Sequence, residues 1–444
     1  MIQADRQPVK KLPPGPRCGR WWTTLQVLRS PRKAFQKWSC RYGDPFLIHA
    51  LNGPIVVTGR PDLIREIFSQ DPAHYDVFAM AAVQSILGAG SMLLMAGPRH
   101  RRERKLIMPM FHGDRMRAYG GIMQRIASTQ MQTVERGPFA MLDLTTKISL
   151  QVIVEAVLGG ERAESIDQLM SRARSLVEKS HPVLFFSPKM QFHFLGLSPW
   201  DRFTRAKTQL RNAFDAELLR RQQDPAPRED ILSMLMEARY DDGTAMEPEH
   251  LYDELGTFLF AGHETSAIAM AWATYYLLTH PDKLARLKAE LSSIDASRPG
   301  DLAQLPYLKA VVSESLRMNP IVTEVLRVLN TPMELGEFHI PAGVAVAPAA
   351  VMVHYDESVY DRPEQFQPER FLEKQYSAAE FLPFGGGARR CAGAAFALYE
   401  MAIILGTLFS KYDFRLLENR PVVPRRRNVT LGPSTGIQVQ VRPV

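Results

Sequence analysis

Apolar residues recur every three to four positions over most of the chain, which is the period of an amphipathic α-helix. Between these segments lie clusters of glycine, proline and small polar residues, which are typical of turns. The pattern predicts helices at residues 30–42, 60–70, 114–134, 143–159, 164–179, 201–223, 228–239, 248–279, 281–293, 305–319 and 392–410.

A second pattern, the alternation of apolar and polar residues, predicts strands in three short regions. Residues 45–59 alternate around the dipeptide Asn52–Gly53, which is a strong hairpin signal. Residues 335–349 carry glycine and proline turns between short β-prone runs, and residues 428–444 alternate around the turn-forming pair Gly432–Pro433. The predicted fold class is therefore mainly α, with a large helical lobe and small peripheral β-sheets.

The domain organisation follows from what the pattern lacks. No flexible linker, charge block or repeat divides the 444 residues, so we interpret residues 12–444 as a single domain after a flexible N-terminal tail at residues 1–11. That tail is polar and lacks the apolar core of a signal peptide, and no uncharged apolar run of about 18 residues occurs. We expect a soluble, cytoplasmic monomer without a transmembrane anchor.

Composition and charge exclude few classes of protein. Three cysteines in a chain of this length make no disulfide framework, which favours a reducing compartment. The 54 basic and 47 acidic residues give a net charge of +7, which fits either an acidic partner or an ordinary solvated surface. Nucleic acid is the weaker interpretation, because no aromatic-and-basic binding motif accompanies the charge.

The most informative stretch is the loop at residues 381–393, with the sequence FLPFGGGARRCAG. Glycines let a backbone approach a flat partner because they carry no side chain. A predicted helix follows at once, so Cys391 is expected near a helix N-terminus, where the dipole and free N–H groups stabilise a thiolate. Arg389 and Arg390 add positive charge beside it. A lone cysteine is usually a buried structural residue, but these neighbours suit an axial thiolate on haem iron.

The spacing Phe384-x-x-Gly387-x-Arg389-x-Cys391-x-Gly393 resembles the haem-ligand signature of the cytochrome P450 family. The resemblance covers residues 12–444, and it implies the cytochrome P450 fold and the cofactor haem b, which is iron protoporphyrin IX. It also implies that Cys391 is the axial ligand of the iron. By the same resemblance, Phe384, Arg389 and Gly393 contact the cofactor.

A second motif of the family is a cluster of one glutamate and two arginines. Glu314 and Arg317 lie three apart on one predicted helix face, and Arg370 follows in the segment Pro368–Phe371. The resemblance implies a buried structural network that holds the core around the loop at residues 381–393, which we call the thiolate loop. Taken alone, Glu-x-x-Arg is common and would be a surface pair of little energetic value.

The longest predicted helix contains the segment Ala261–Thr265, with the sequence AGHET. Glycine in mid-helix costs about 1 kcal/mol relative to alanine, so Gly262 needs a reason, and we expect it to leave room beside Thr265. The Thr265 hydroxyl can bond to the preceding turn, which would open a groove for a diatomic ligand. By resemblance, Glu264 and Thr265 are the catalytic pair that delivers protons to iron-bound dioxygen, and a polar stripe is the alternative. His263 does not share a face with Glu264, which argues against a metal site there.

Cationic residues match the positions that contact the haem propionates in the family. His100 and Arg104 are four apart and share a helix face, and Arg327 and Arg389 match two further positions. Two carboxylates that enter a protein interior need cationic donors, which is the physical reason for such a set. The alternative is a basic face in water.

The substrate side is less sharply defined. Residues 78–96 are rich in Met, Ala and Gly and residues 183–197 are rich in Phe; by resemblance both cover the substrate side of the haem, and ordinary core is the alternative. We expect Glu324 either to pair with Arg327, which is the favoured interpretation, or to meet a cationic or polar group of the substrate. The candidate pocket residues are Phe260, Ala261, Val322 and Glu324.

Electrons must come from another protein, because the chain has no cysteine cluster for an iron–sulfur centre and no flavin motif. An acidic ferredoxin or flavodoxin-type partner with its reductase is expected, steered by a basic surface. The residues of that surface are Arg101, Arg102, Lys105 and Arg390.

Together these parts predict a monooxygenase, a hydroxylase that inserts one oxygen atom of O2 into an apolar small-to-medium substrate. Fatty acids, terpenoids, steroids and polyketides are the expected classes. A haem-thiolate peroxygenase or isomerase on the same fold is one alternative, and the pair Glu264–Thr265 argues against it. A non-catalytic protein that holds haem or a lipid is the other, and the presence of Cys391 argues against that one.

Overall fold

The computed structural model divides into two compact units. The first comprises Met1–Phe78, Thr323–Pro363 and Tyr376–Arg389, and the second comprises Ala79–Val322, Glu364–Gln375 and Arg390–Val444. The predicted tail at residues 1–11 lies outside the described residues, and the single-domain interpretation stays a prediction. The structure describes residues 12–111, 113–134, 137–159, 163–180, 184, 189, 191–224, 228–427 and 429–442.

Helices dominate both the length and the core of the described chain, so the mainly α fold class is confirmed. In chain order they are α1 (Arg20–Arg29), α2 (Pro31–Tyr42), α3 (Pro61–Ser69), α4 (Met80–Leu87), α5 (Gly97–Ile107), α6 (Asp114–Gln132), α7 (Met141–Leu158), α8 (Ala163–Lys179), α9 (Pro199–Gln223), α10 (Ile231–Glu237), α11 (Pro248–Thr279), α12 (Pro281–Leu291), α13 (Pro299–Leu302), α14 (Pro306–Met318), α15 (Ala350–Val353), α16 (Arg370–Glu373) and α17 (Ala394–Lys411).

The strands are short and form small separate sheets, as the alternation pattern predicts. They are β1 (Phe46–Ala50), β2 (Gly53–Thr58), β3 (Tyr75–Asp76), β4 (Phe139–Ala140), β5 (Arg327–Leu329), β6 (Met333–Leu335), β7 (Phe338–Ile340), β8 (Ala345–Pro348), β9 (Asp413–Leu416), β10 (Pro424–Arg427), β11 (Thr430–Pro433) and β12 (Gln438–Arg442).

Proline starts many of the helices. Pro31, Pro61, Pro248, Pro281 and Pro306 each occupy the first turn of a helix, where the missing N–H would have no partner and the fixed φ suits the helix. The predicted helix boundaries therefore lie within a few residues of the observed ones.

The first unit is built on a five-stranded sheet with the order β1-β2-β8-β5-β3. Strands β2 and β8 pair in parallel, and the other neighbours pair antiparallel. Side chains that alternate along β2 enter two different apolar clusters, with Ile55 and Val57 on one face and Val56 on the other. The sheet is thus covered on both faces, and it carries Arg327 at the start of β5.

The second unit is a helical assembly around α11, which has 32 residues and packs along α7. Trp272 on α11 is completely enclosed, and α17 packs against the same helix. Among the described residues, α17 is the one helix that is apolar and long enough to cross a membrane, and 67% of it is buried within the protein. Such burial is what a core helix shows.

The predicted elements leave out α1, α4, α13, α15 and α16 and the strands β3, β4, β5, β9 and β10. Two of the differences are informative. The periodicity does not predict α1, because Trp21, Trp22 and Leu25 are exposed and the helix presents no continuous apolar stripe to a core. The pair Gly432–Pro433 lies in β11 rather than in a turn, and the chain turns at Ser434 and Thr435.

Candidate functional site

Cys391 lies in the second unit, directly before α17, and Gly393 is the N-cap of that helix. The side chain of Cys391 is accessible to water, yet the surrounding protein removes enough hydration to raise the pKa of its thiol. The Gly393 N–H and the charges of Arg104 and Arg390 act in the opposite direction. The predicted position at a helix N-terminus is found, but burial outweighs the charges. Coordination to a metal cation would deprotonate the thiol outright.

Helix α5 places two more predicted residues in the second unit. His100 is buried, and Arg104 is partly buried on the next turn of the same face. Burial lowers the pKa of Arg104, whereas the negative charge of a Cys391 thiolate raises it. Arg104 is therefore close enough to Cys391 for their charges to interact.

Arg327 in the first unit is a buried cation. Its Nη2 donates to the carbonyl of Gly386 at 2.6 Å, and its guanidinium lies 5.0 Å from the ring centre of Phe68 and 5.3 Å from that of Tyr75. Its Nε is buried without a hydrogen-bond partner, and among the described residues no carboxylate pairs with it. The pKa of Arg327 is lowered to about 10, mainly by burial; Tyr75 opposes this shift and the charge of Arg389 adds to it. A guanidinium in this setting suits an incoming carboxylate.

The glycine run of the thiolate loop serves packing within the first unit. A Cβ at Gly386 would lie 2.3 Å from the ring of Phe68, and one at Gly387 would lie 2.4 Å from the carbonyl oxygen of Phe68. Gly387 also has a φ of 64°, which favours glycine. The close approach predicted for these glycines is therefore made to α3. Phe384 is half-buried in the same unit.

The centre of α11 holds the predicted acid–alcohol pair. The Thr265 hydroxyl donates to the carbonyl of Ala261 at 2.8 Å, which is the predicted bond to the preceding turn. Ala261 is exposed although the flanking parts of α11 are buried. Gly262, however, faces α7, where an added Cβ would lie 3.3 Å from Ile153. Packing against α7 is thus one reason for a small residue here, and the expectation that Gly262 leaves room beside Thr265 stays a prediction.

Glu264 forms an ion pair with Arg427, a residue to which the sequence patterns assign no role. Its carboxylate lies 3.5 Å from Nε of Arg427, at the end of β10. Burial raises the pKa of Glu264, and Arg427 together with the Thr430 hydroxyl offsets part of that rise. Arg427 therefore holds the candidate catalytic acid.

His263, next to Glu264, faces the core. It is buried, and its Nδ1 lies 2.6 Å from the carbonyl oxygen of Leu259. Over the ranges that the structure describes, no group of three or more His, Cys, Asp or Glu side chains is arranged to hold a metal ion.

Glu314, Arg317 and Arg370 form one buried network in the second unit. Arg317 donates to both oxygens of Glu314, at 2.7 and 2.9 Å, and Nε of Arg370 donates at 3.1 Å. The backbone N–H of Gln367 adds a bond of 2.9 Å to the same carboxylate. This arrangement agrees with the structural role expected for the three residues, and it excludes the alternative of a surface pair.

Two of the four candidate pocket residues lie at accessible positions of α11 and one lies just beyond α14. Phe260 lines a cavity of about 400 Å³ in the second unit. Ala261 is exposed, and Val322 is 43% exposed. Of the Phe-rich segment 183–197, residues 183, 185–188 and 190 lie outside the described residues.

The fourth pocket candidate, Glu324, does not pair with Arg327. Its carboxylate accepts a hydrogen bond from the Thr323 hydroxyl, whereas Arg327 points to Gly386 and to two aromatic rings. Residues three apart on an extended chain point to opposite faces, which is the physical reason. The favoured interpretation of Glu324 is therefore wrong.

A buried acid that the sequence analysis misses lies on α17. Glu400 is fully buried, and burial raises its pKa to about 7, while the hydroxyls of Ser149 on α7 and Ser266 on α11 offset part of the rise. Neither carboxylate oxygen has a partner at ordinary hydrogen-bond distance. An acidic residue inside the apolar run of α17 is a signal that the sequence could have given. Its position opposite Ser266, the residue after Thr265, needs the structure.

The predicted electron-transfer surface is partly neutralised. Arg102 pairs with Asp242 at 2.7 Å and Lys105 pairs with Asp241 at 2.7 Å. Arg101 and Arg390 are exposed, as expected for residues that face water.

Each unit, taken by itself, holds side chains whose chemistry suits a haem. The second unit supplies the Cys391 sulfur, with Arg104 near it and with open space where a Cβ at Gly393 would lie. The first unit supplies the buried Arg327, whose Nε has no bond. A sulfur ligand and buried guanidinium groups are the chemistry that an iron porphyrin with two carboxylates requires.

Comparison with known proteins gives one consistent result. The family model described as cytochrome P450 matches residues 13–441. A protein of Mycobacterium tuberculosis named "Putative cytochrome P450 135B1" is 33% identical over 97% of this chain and 91% of its own length. A second, "Putative cytochrome P450 138" from the same species, is 31% identical over 99% of this chain and 98% of its own.

The fold is also that of a solved structure, entitled "Retinoic acid bound cyanobacterial CYP120A1". The two superpose with a TM-score of 0.87 at 23% identity, covering 98% of this chain and 100% of the other. At this identity the likeness concerns the fold alone.

Proposed function

The chain belongs to the cytochrome P450 family and is a haem-thiolate monooxygenase, and we propose that it hydroxylates an apolar substrate of small to medium size. The reaction class balances as RH + O2 + 2 H+ + 2 e− giving ROH + H2O. Fatty acids, terpenoids, steroids and polyketides are the candidate classes, and the retinoic acid named for the cyanobacterial structure has a largely apolar body that ends in a carboxyl group. A cytoplasmic location and a monomeric state remain predictions.

The cofactor, haem, supplies when bound the iron at which O2 is activated. Cys391 is proposed as the sulfur ligand of that iron. Arg104 and His100 from α5, together with Arg327 and Arg389, are proposed to hold the propionates. The buried Nε of Arg327 supports this assignment, because a buried donor without an acceptor is costly unless a ligand satisfies it.

The pair Glu264 and Thr265 is the reason for proposing monooxygenation rather than another haem-thiolate reaction. We assign to Glu264 the transfer of protons from solvent, since its carboxylate is 16% exposed and its pKa is raised toward the range in which a carboxyl group both takes up and releases protons. Thr265 holds the next position, with its hydroxyl anchored on the carbonyl of Ala261. This pair is the single observation that favours monooxygenation over peroxygenase or isomerase chemistry.

A separate redox protein is proposed as the electron donor. With Arg102 and Lys105 paired to Asp242 and Asp241, the attraction for an acidic ferredoxin or flavodoxin rests more on Arg390 than the sequence suggests. Reduction by such a partner should slow as ionic strength rises, and replacement of Arg390 by Gln should lower the reduction rate more than replacement of Arg102.

The decisive experiment replaces Cys391 with Ser in the full chain. The reduced wild-type protein under carbon monoxide is expected to show a strongly red-shifted Soret band, and Cys391→Ser is expected to lose both that band and turnover. Cys40→Ser is the matched control, because Cys40 is exposed on α2. A red-shifted band that persists in Cys391→Ser would overturn the assignment.

The peroxygenase alternative is tested on the same samples. Turnover supported by a redox partner and NADPH should exceed turnover supported by hydrogen peroxide. If peroxide supports the faster reaction, the monooxygenase proposal fails while the haem-thiolate assignment stands.

A further inference from the structure

The cavity of about 400 Å³ in the second unit has two chemically different parts. It is enclosed by α4, α8, α9 and α11. Toward the middle of α11 the lining includes Phe260, and Phe214 and Leu176 are further apolar residues of the wall. Toward the start of α11 its wall is polar, with Lys207 and Arg211 from α9 facing Asp253 and Glu249.

Most of the charged groups in the polar part are already satisfied within the protein. Arg211 donates to both oxygens of Glu249, at 2.8 and 2.5 Å, and its guanidinium lies 4.6 Å from the ring centre of Tyr252. The Asp253 carboxylate accepts from the backbone N–H of Gly90 at 2.9 Å. A Cβ at Gly88 would lie 1.9 Å from the same carboxylate, so Asp253 is packed against that turn.

Lys207 is the exception. Among the described residues no carboxylate lies within ion-pair distance of its ammonium group, although Asp253 is near enough to influence it. Burial lowers the pKa of Lys207, and the charge of Asp253 offsets only part of that effect. A partly buried cation at one end of an apolar cavity is suited to an anion carried by a ligand.

We propose that this cavity binds an amphipathic lipid acid, with the carboxylate on Lys207 and the apolar body directed along α11 toward Phe260. Twelve residues separate Asp253 from Thr265 on α11, a distance of roughly 18 Å along the helix axis. A molecule anchored at Lys207 therefore needs a long body for its far end to approach Thr265. The inference adds a substrate class to the proposed function. It rests on that function for the statement that the end of the molecule far from Lys207 is the one that reacts.

The test measures binding heat with the haem-loaded full chain and three probes of one chain length: tetradecanoic acid, its methyl ester and tetradecylamine. The wild-type protein should bind the acid more tightly than the ester or the amine. Lys207→Met should weaken binding of the acid about tenfold or more, because a charge-assisted hydrogen bond is lost, and should change ester binding less than about twofold. Lys207→Arg should restore most of the affinity for the acid.

Arg205→Met is the matched control, because Arg205 is an exposed cation on α9 outside the cavity lining. It should leave binding of the acid unchanged. Equal affinity of wild type and Lys207→Met for the acid, tighter binding of the amine, or no binding of any probe would each overturn the inference. Lys207-dependent binding of the acid without oxygenation of any substrate would instead support the inference and reject the proposed function.

Discussion

Two glutamates on long helices of the second unit, Glu314 and Glu264, are held in opposite ways. The Glu314 side chain is 0% exposed, and two arginines and a backbone N–H donate to it. The Glu264 side chain is 16% exposed and pairs with one arginine at 3.5 Å. Both residues belong to family motifs, and the structure shows how differently their carboxylates are held.

The difference indicates what each carboxylate can do. A carboxylate whose hydrogen-bond positions are filled by buried donors fixes the segments that carry those donors, here α14 and the residues around α16. A carboxylate held loosely near water can exchange a proton or change rotamer at low cost. Glu400 is a third case, buried like Glu314 but without donors that neutralise it.

The largest expected effect comes from breaking the Glu314 network. Glu314→Gln keeps the shape of the side chain but removes the buried negative charge to which Arg317 and Arg370 donate. The free energy of unfolding should fall by about 3–5 kcal/mol, the usual result of removing one partner of a buried ion pair. Urea denaturation followed by circular dichroism measures this, and haem retention reports the same loss.

Asp241→Asn is the matched control for that experiment. Asp241 pairs with Lys105 on the surface, with both side chains more than 70% exposed, and such pairs contribute little. Its unfolding curve should overlay that of the wild type. A Glu314→Gln protein as stable as this control would show that the network is not a structural anchor.

The next effect is a pH dependence of stability that originates at Glu400. Burial raises the pKa of Glu400 from 4.5 to about 7, so the folded protein binds this proton more tightly than the unfolded chain does. The stability linked to this group is complete below the unfolded value and is lost as pH rises through about 7. Integrated over that window, the loss is about 3 kcal/mol.

Glu400→Gln should abolish this component. The variant should gain stability relative to wild type as pH rises from about 4.5 to about 7, and urea midpoints measured across that range report the gain. Glu400→Asp, which retains a titratable group, should keep the slope. Parallel pH profiles of wild type and Glu400→Gln would place the protonation elsewhere.

A smaller effect, and one on turnover rather than folding, is expected from Glu264→Gln. Loss of a general acid at a proton-transfer step should slow turnover about a hundredfold, which corresponds to about 2.7 kcal/mol of barrier. The free energy of unfolding should change by less than about 1 kcal/mol, since the lost ion pair is partly exposed. Product formation measured in H2O and D2O should show a larger solvent isotope effect in the variant.

Glu247→Gln serves as the control for this variant, because Glu247 is an exposed residue at the N-cap of the same helix. If Glu264→Gln unfolded as readily as Glu314→Gln, the distinction between a structural and a catalytic glutamate would be lost.

Local sequence patterns predict most of the fold, and they predict those site features that depend on local spacing. Periodicity locates α11, α14 and α17, and the spacing of Glu314 and Arg317 is enough to place both on one face. The position of Cys391 before a helix N-terminus also follows from neighbouring residues alone.

Features that depend on distant segments could not be predicted. Arg427 reaches Glu264 because β10 pairs with β11, and the backbone N–H of Leu431 in β11 bonds to the carbonyl of Ile321, three residues after the end of α14. Gly262 faces Ile153 of α7, which no pattern within α11 reveals. Glu324 and Arg327 are close in sequence, yet strand geometry directs them apart.

The smallest expected effect concerns Arg427, which holds Glu264 without touching the reacting atoms. Arg427→Met removes both the charge and the hydrogen bond that lower the pKa of Glu264, so that pKa should rise further. Whichever protonation state of Glu264 limits turnover, the corresponding limb of the pH–rate profile should move to higher pH, with only a several-fold loss of rate at the optimum.

Arg425→Met, in an exposed position on the same strand, is the control and should leave the pH–rate profile in place. A purely structural role of Arg427 would lower the rate equally at every pH, so a profile scaled down but not shifted would mean that Glu264 does not depend on this arginine for its proton affinity.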